Sequence, residues 1–291
     1  MSVTTSAHND VSVEVRRYAQ NGAKASASGR KFAHTPGLRV VVRMTTVAPP
    51  LVVAIILGIG WYMSTAYGYV NTSLILPKPG DVFASLVDGL NSGLFLGSAL
   101  VTIQESVSGF LLALVVALPL GYALAKSRWI AAAVQPYLAA GQAIPAIVIA
   151  PLLMFWLGTG LVPIMIVCML VVFFPMVVTT VLGVQTIDKM LTDAAQVEGA
   201  TGWSLLAFIE FPLALPAILA GIRTSLTLSI TGALVGEFVG GGDQGLGALV
   251  QIAREQFNLP LLFATLLILA VLAALYYGFT WLLVKLAEAA Y

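Results

Sequence analysis

Six apolar stretches, each near the ~20 residues a helix needs to cross a bilayer, alternate with short polar segments along this 291-residue chain. The expected spans are about 46–67, 99–125, 131–157, 162–184, 213–236 and 259–284. The runs are long and continuous rather than alternating over about ten residues, so they predict helices and exclude an outer-membrane barrel. In lipid every backbone polar group must be satisfied within the segment, which again selects helices. The third run carries Pro136, Pro145 and Pro151 and is expected to be broken. Gly158-Thr159-Gly160 marks the turn into the fourth. No internal repeat is evident.

The longest polar interruption of the membrane half runs from 185 to 211. Thr186–Glu198 is rich in helix formers, with Thr192 placed to cap a turn that starts at Asp193. Gly199 can adopt a positive φ and end that turn. A second short helix over Ala200–Glu210 is expected to stop at Pro212. Ala194 and Ala195 leave a shallow surface that another backbone can approach. The segment reads as a helix-turn-helix plug for a soluble partner, or as an ordinary interfacial hairpin.

Composition fixes the class. The chain is 59% hydrophobic and 9% charged, against about 25% charged in soluble domains. It is an integral membrane protein, and its net charge of +1 gives no basis for nucleic-acid binding. Charge placement fixes the orientation. Residues 1–44 carry seven basic side chains against Asp10 and Glu14, and read as a mostly disordered cytoplasmic tail rather than a cleaved signal peptide. With the N-terminus inside, eleven of the 14 Lys and Arg fall on the cytoplasmic side, which predicts N-in/C-in with the 185–211 loop in the cytoplasm. Residues 45–291 then form the transmembrane domain.

Few groups offer chemistry. Cys168 lies in an apolar run and reads as a small core residue. It is the sole cysteine, and with His8 and His34 it makes no metal site. No P-loop, His-Glu-x-x-His, CxxC or Gly-x-Ser-x-Gly pattern is present. No catalytic residue is assigned, and a membrane enzyme lacks its ionisable cluster.

Four polar residues inside or beside spans are candidates for a pathway or gate, because such groups are costly in lipid. Glu105 either lines a pathway or pairs with another group, or sits at the interface with its carboxylate in headgroup water. Gln142, beside Pro145, either contacts a solute or bonds a neighbouring helix. Arg223 either snorkels to the cytoplasmic face or pairs with an acid such as Glu210. Glu237, with Gly245-Leu246-Gly247, forms an outer gate or belongs to a solvated loop. Gly232, Gly236 and Gly240 make a small-residue face for packing between two subunits or within one. The hydroxyls from Thr224 to Thr231 can bond their own helix backbone and are weak evidence for a pore.

Asp193-Ala194-Ala195, then three residues, then Gly199, with Trp203 and Pro212, resembles the EAA loop of ABC importer permeases. Asp193 replaces that family's leading Glu with one methylene less. The resemblance extends over about 95–285. It rests on Gly109-Phe110, Pro119-Leu120-Gly121, Pro151-Leu152, Phe155-Trp156, Phe173-Phe174-Pro175, Leu215-Pro216-Ala217-Ile218, Gly221-Ile222-Arg223 and Gly245-Leu246-Gly247. These look like the branch for sulfonates, taurine, nitrate and thiamine precursors or riboflavin.

The resemblance implies an all-α, six-helix type I importer permease in a bacterial inner membrane. Asp193, Ala194, Ala195 and Gly199 would lie on a coupling helix that meets the ATPase subunits, so ATP would be held by that partner and no cofactor by this chain. It also implies a second permease copy or homologue and an extracytoplasmic binding protein. Glu105 departs from the sulfonate and nitrate members, and Gly236-Glu237-Phe238-Val239-Gly240 looks like the pyrimidine and riboflavin members. A vitamin or pyrimidine-type precursor is therefore expected, with sulfonate, taurine or nitrate as the alternative. The rival of another class is an ion-coupled secondary transporter or channel.

Overall fold

A computed structural model describes residues 36–68, 75–240 and 244–290. Among these the regular structure is helical, with no strand. The expected disordered tail falls on residues 1–44, of which 1–35 lie outside the described residues. The chain divides into two units, Met1–Gly60 and Trp61–Tyr291. In the first unit the described structure is the start of α1, Pro36–Ala66.

The second unit holds the rest of α1 and ten further helices. Pro79 opens α2, Pro79–Asn91, at a position where its missing N–H costs nothing. Gly93, at φ 75°, turns the chain directly into α3, Leu94–Lys126. Ser127 then ends α3 and caps α4, Arg128–Ala143, by accepting from the Ile130 N–H. Of the three prolines expected to break the third run only Pro145 does so, Pro136 and Pro151 lying inside α4 (Arg128–Ala143) and the helix that follows it. Ile144 is extended, as the residue before a proline must be, and α5, Ala146–Leu157, leaves α4 at 95°. Gly158 and Gly160, both at positive φ, lead into α6, Leu161–Gln185.

Beyond the polar loop come α7, Lys189–Val197, and α8, Gly202–Leu205. A π-helical turn over Leu206–Glu210 joins α8 to α9, Phe211–Gly240. The chain closes with α10, Leu246–Glu255, and α11, Leu259–Ala290. Among the described residues four stretches are long and apolar enough to cross a membrane: α3, α6, Gly202–Gly240 and α11. The bent α4–α5 pair makes a fifth if it counts as one span. The first expected span falls on α1, whose described apolar part, Val52–Ala66, is shorter than a crossing requires.

The second expected short helix does not stop at Pro212. The π turn widens the helix just ahead of the proline, with Phe211 N–H reaching back to Leu206 O. The proline ring and its missing donor are absorbed there, and the helix continues for 30 residues more, Phe211–Gly240, making a stretch of 39 residues from Gly202.

α3, α6 and α9 form the centre, α9 packing most extensively on α6 and α6 on α3. Small residues set this closeness. A Cβ on Gly232 would meet Cys168 Cα at 2.7 Å, and one on Gly236 would meet Ile164 Cγ2 at 2.8 Å. Gly240 faces Met154 in the same way. The glycine face is thus used inside the chain, against α6 and α5. Cys168 is fully buried between Gly109 and Gly232, as the small core residue it was expected to be.

Candidate functional site

The polar segment 185–211 lies at one end of the α3–α6–α9 centre. α7 begins one turn earlier than the sequence predicts, because Asp188 rather than Thr192 is the cap. Asp188 Oδ1 accepts from Met190 N–H at 2.9 Å, and an acid so placed also complements the helix dipole. Thr192 is inside the helix, its hydroxyl donating to Lys189 O at 2.9 Å. Asp193 and Ala194 are consequently mid-helix and exposed, with Ala195 half-buried.

Gly199 ends the helix as expected, at φ 96°. Ala200 N–H donates to Ala195 O at 2.9 Å and Gly199 N–H to Gln196 O at 3.0 Å. This is the paired Schellman arrangement that satisfies the last carbonyls. Around the helix the side chains are apolar and open to solvent. Val197 is 89% exposed, Trp203 78% and Met190 74%. None was expected to matter except Trp203. The signal available was the amphipathic spacing of Met190, Leu191, Ala194 and Val197, which leaves apolar groups on a helix that packs little on the rest of the chain.

Behind α7, the π turn presents Glu210. It is 1% exposed and forms an ion pair with Lys126 at the end of α3. Tyr122 Oη, one helical turn back, donates to Glu210 Oε2 at 2.7 Å. The acid expected as a partner for Arg223 is therefore engaged elsewhere. Arg223 is half-buried with its guanidinium 4.7 Å over the Tyr277 ring, a cation–π contact to α11.

At the opposite end Glu237 is completely buried, so it is not part of a solvated loop. Thr102 Oγ1 on α3 donates to its Oε1, and Gly247 N–H donates to its Oε2. Thr102 Oγ1 also accepts from Leu246 N–H at 2.9 Å. The carboxylate thereby ties the start of α10 to both α3 and α9, as a remote cap for N–H groups that α10 cannot satisfy itself. Gly245 and Gly247 are needed because a Cβ at either would run into the Glu237 carboxyl.

Glu105 is 4% exposed, which rules out a carboxylate in headgroup water. Glu237 is its neighbouring carboxylate, and the Glu105 Oε2 has no hydrogen-bond partner among the described residues. With Gln104, Thr159 and Gln244 it lines a cavity of about 330 Å3. Gln142 is exposed, and borders a groove of about 700 Å3 with Pro145, Phe174, Pro175 and Thr179. The structure therefore brings Glu105 and Glu237 together at one end and leaves Gln142 and Arg223 apart from them. Three of the span hydroxyls serve their own helix, Thr224 donating to Ala220 O, Thr227 to Arg223 O and Ser229 to Leu226 O, while the buried Ser225 Oγ has no partner among the described residues. Among the described residues no group of three or more His, Cys, Asp or Glu could hold a metal ion.

An exposed helix ended by a Schellman glycine thus joins two membrane-length stretches, α6 and Gly202–Gly240. Residues 109–287 match the family of binding-protein-dependent transport system inner membrane components. The chain belongs to that family. It is a multi-pass membrane permease of an ABC transport system and not an enzyme.

This permease is 41% identical over 254 residues to the riboflavin transport system permease protein RibX of Chloroflexus aurantiacus, covering 87% of this chain and 94% of that one. It is 29% identical over 226 residues to the formylaminopyrimidine transport permease protein ThiX of Halalkalibacterium halodurans, covering 78% and 89%. Its fold is similar to that of a chain in the inward-facing MetNI methionine ABC transporter, with a TM-score of 0.58 and 22% identity over 66% of this chain and 94% of that one. The permease thus has the type I importer fold.

Proposed function

We propose that the permease imports a small heterocyclic vitamin or vitamin precursor, riboflavin before a formylaminopyrimidine, with ATP hydrolysed on separate ATPase subunits that dock on α7. The observation that carries the docking is the exposed apolar surface of Met190, Val197 and Trp203 around Asp193, Ala194, Ala195 and Gly199. A helix with that much open apolar surface outside the spans is stabilised by a partner that covers it. The solute class rests on the 41% identity to a riboflavin permease along nearly the full length of both chains.

In this reading the N- and C-termini and α7 face the cytoplasm, α1 supplies the sixth crossing, and a second permease copy or homologue completes the pathway. An extracytoplasmic binding protein delivers the solute to the end that carries Glu237 and α10. The groove of about 700 Å3 beside Gln142, lined mainly by apolar side chains with Thr179 at its edge, is a candidate wall of the pathway. An ion-coupled carrier would need no exposed docking helix.

The test is uptake of labelled riboflavin and labelled formylaminopyrimidine by cells lacking this chain, with and without it restored. Restoration of riboflavin uptake that stops when α7 carries Ala195→Asp supports the reading. Uptake that survives Ala195→Asp, or that follows an ion gradient after ATP depletion, overturns it.

A further inference from the structure

The docking helix alone does not explain why a carboxylate is buried behind it. Glu210 is 1% exposed and ends the π turn that joins α8 to α9. Both of its partners are on α3, Lys126 by ion pair and Tyr122 by a 2.7 Å hydrogen bond. Lys126 and Tyr122 are four residues apart, so their heads reach the same carboxylate from one face of α3. Burying the Glu210 carboxylate costs desolvation that an apolar side chain of similar volume avoids, while Lys126, its side chain 43% exposed, keeps part of its hydration. What the ionic contact supplies is fixed geometry.

The packing around it makes that geometry consequential. Beside the contact lies a cavity of about 320 Å3 bounded by Leu118, Tyr122, Trp203, Leu206, Phe211 and Ile218. Apolar contact between α3 and the coupling segment is therefore interrupted at this level. The carboxylate bridges the gap that side-chain packing leaves.

We infer that Glu210 is a positioning residue that makes α3 follow the coupling segment when the ATPase subunits move. The inference rests on the reading that α7 is the ATPase dock. α7 pushes α8, which is continuous with α9 through the π turn. Glu210 carries that displacement sideways to α3 through Lys126 and Tyr122. At the far end Glu237 and Thr102 join the same two helices, so α3 and α9 are pinned near both ends and move as one body. Without the Glu210 contact α9 moves and α3 lags.

The experiment uses the full chain, with Cys168→Ala, reconstituted in lipid vesicles with the ATPase subunits that co-purify with it. Spin labels at Gln196→Cys on α7 and Arg128→Cys, two residues past α3, report the distance between the two bodies without ATP and with ATP bound. The wild-type contact and Lys126→Arg are expected to give superimposable distributions in the two states. The double variant Lys126→Met with Glu210→Met removes both the ion pair and the Tyr122 hydrogen bond without leaving a lone buried charge, and is expected to give distributions that separate on ATP binding. Superimposable distributions in the double variant overturn the inference, as does separation in the parent protein. ATPase co-purification is scored in parallel. Its loss in Ala195→Asp but not in the double variant keeps the dock and the brace distinct, and failure of the parent to bind any ATPase overturns the docking reading and the brace with it.

Discussion

Thr102 and Glu237, 135 residues apart in sequence, meet in a fully buried hydrogen bond that also organises the first turn of α10. A threonine hydroxyl can do this because it donates to the carboxylate and accepts from Leu246 N–H at once. Glu237→Ala leaves the buried Gly247 N–H without its acceptor and the Thr102 hydroxyl with only Ser98 O, at 3.2 Å. The expected loss is about 3 kcal/mol, read as a lower melting temperature of the purified permease in detergent. Thr102→Val, which removes one hydroxyl, should cost about 1–2 kcal/mol. Equal melting temperatures for all three proteins would show that the bond holds nothing.

Glycine at 232 is a packing requirement, whereas glycine at 278 is not. A Cβ on Gly232 meets the Cys168 backbone at 2.7 Å, and one on Gly278 meets nothing within 4 Å. Gly232→Ala should destabilise the permease by about 1–3 kcal/mol through overpacking. Gly278→Ala, on an open helix face, should be neutral or stabilise by up to about 1 kcal/mol. The pair is compared by thermal melting and by yield in the membrane fraction, and the order of the two variants decides the matter.

Val197, at 89% exposure, makes almost no contact within its own chain. Val197→Asp should therefore leave the melting temperature of the isolated permease within about 0.5 kcal/mol of the parent while removing ATPase co-purification. Gly199→Ala acts differently. It forces a Cβ into φ 96° at the helix end, costs about 1 kcal/mol and shifts α7 instead of blocking its surface. Retained ATPase binding in Val197→Asp would place the docking surface elsewhere.

Cys168 is the only thiol and has no exposed surface. A membrane-permeant maleimide should leave it unlabelled in the folded permease and label it fully in denaturant, measured by mass spectrometry. Rapid labelling of native protein would show that α3, α6 and α9 separate far more readily than their close approach implies.

The helical class and the break at Pro145 were legible because composition and proline placement act locally. Gly199 was legible for the same reason, since a single φ decides its role. Asp188 was overlooked as a cap because Thr192 lies equally well beside Asp193 in a linear reading, and only the start of α7 separates them. Glu237 and Glu210 were harder. Their partners, Thr102 and Lys126, are 135 and 84 residues away, and no local pattern reports a contact at that separation. Arg223 had Glu210 as one of its two readings for the same reason: sequence offers the opposite charge, while the fold offers the Tyr277 ring.

The π turn at Leu206–Glu210 has a consequence for phase. Such a turn holds one residue more than an α-helical turn would, and one residue is about 100° of rotation around the axis. Every side chain from Phe211 to Gly240 therefore faces a direction set by that single surplus residue. Removing it would leave the composition of α9 unchanged and rotate Gly232 and Glu237 away from their partners, so the register of the whole span is stored in one turn close behind α7.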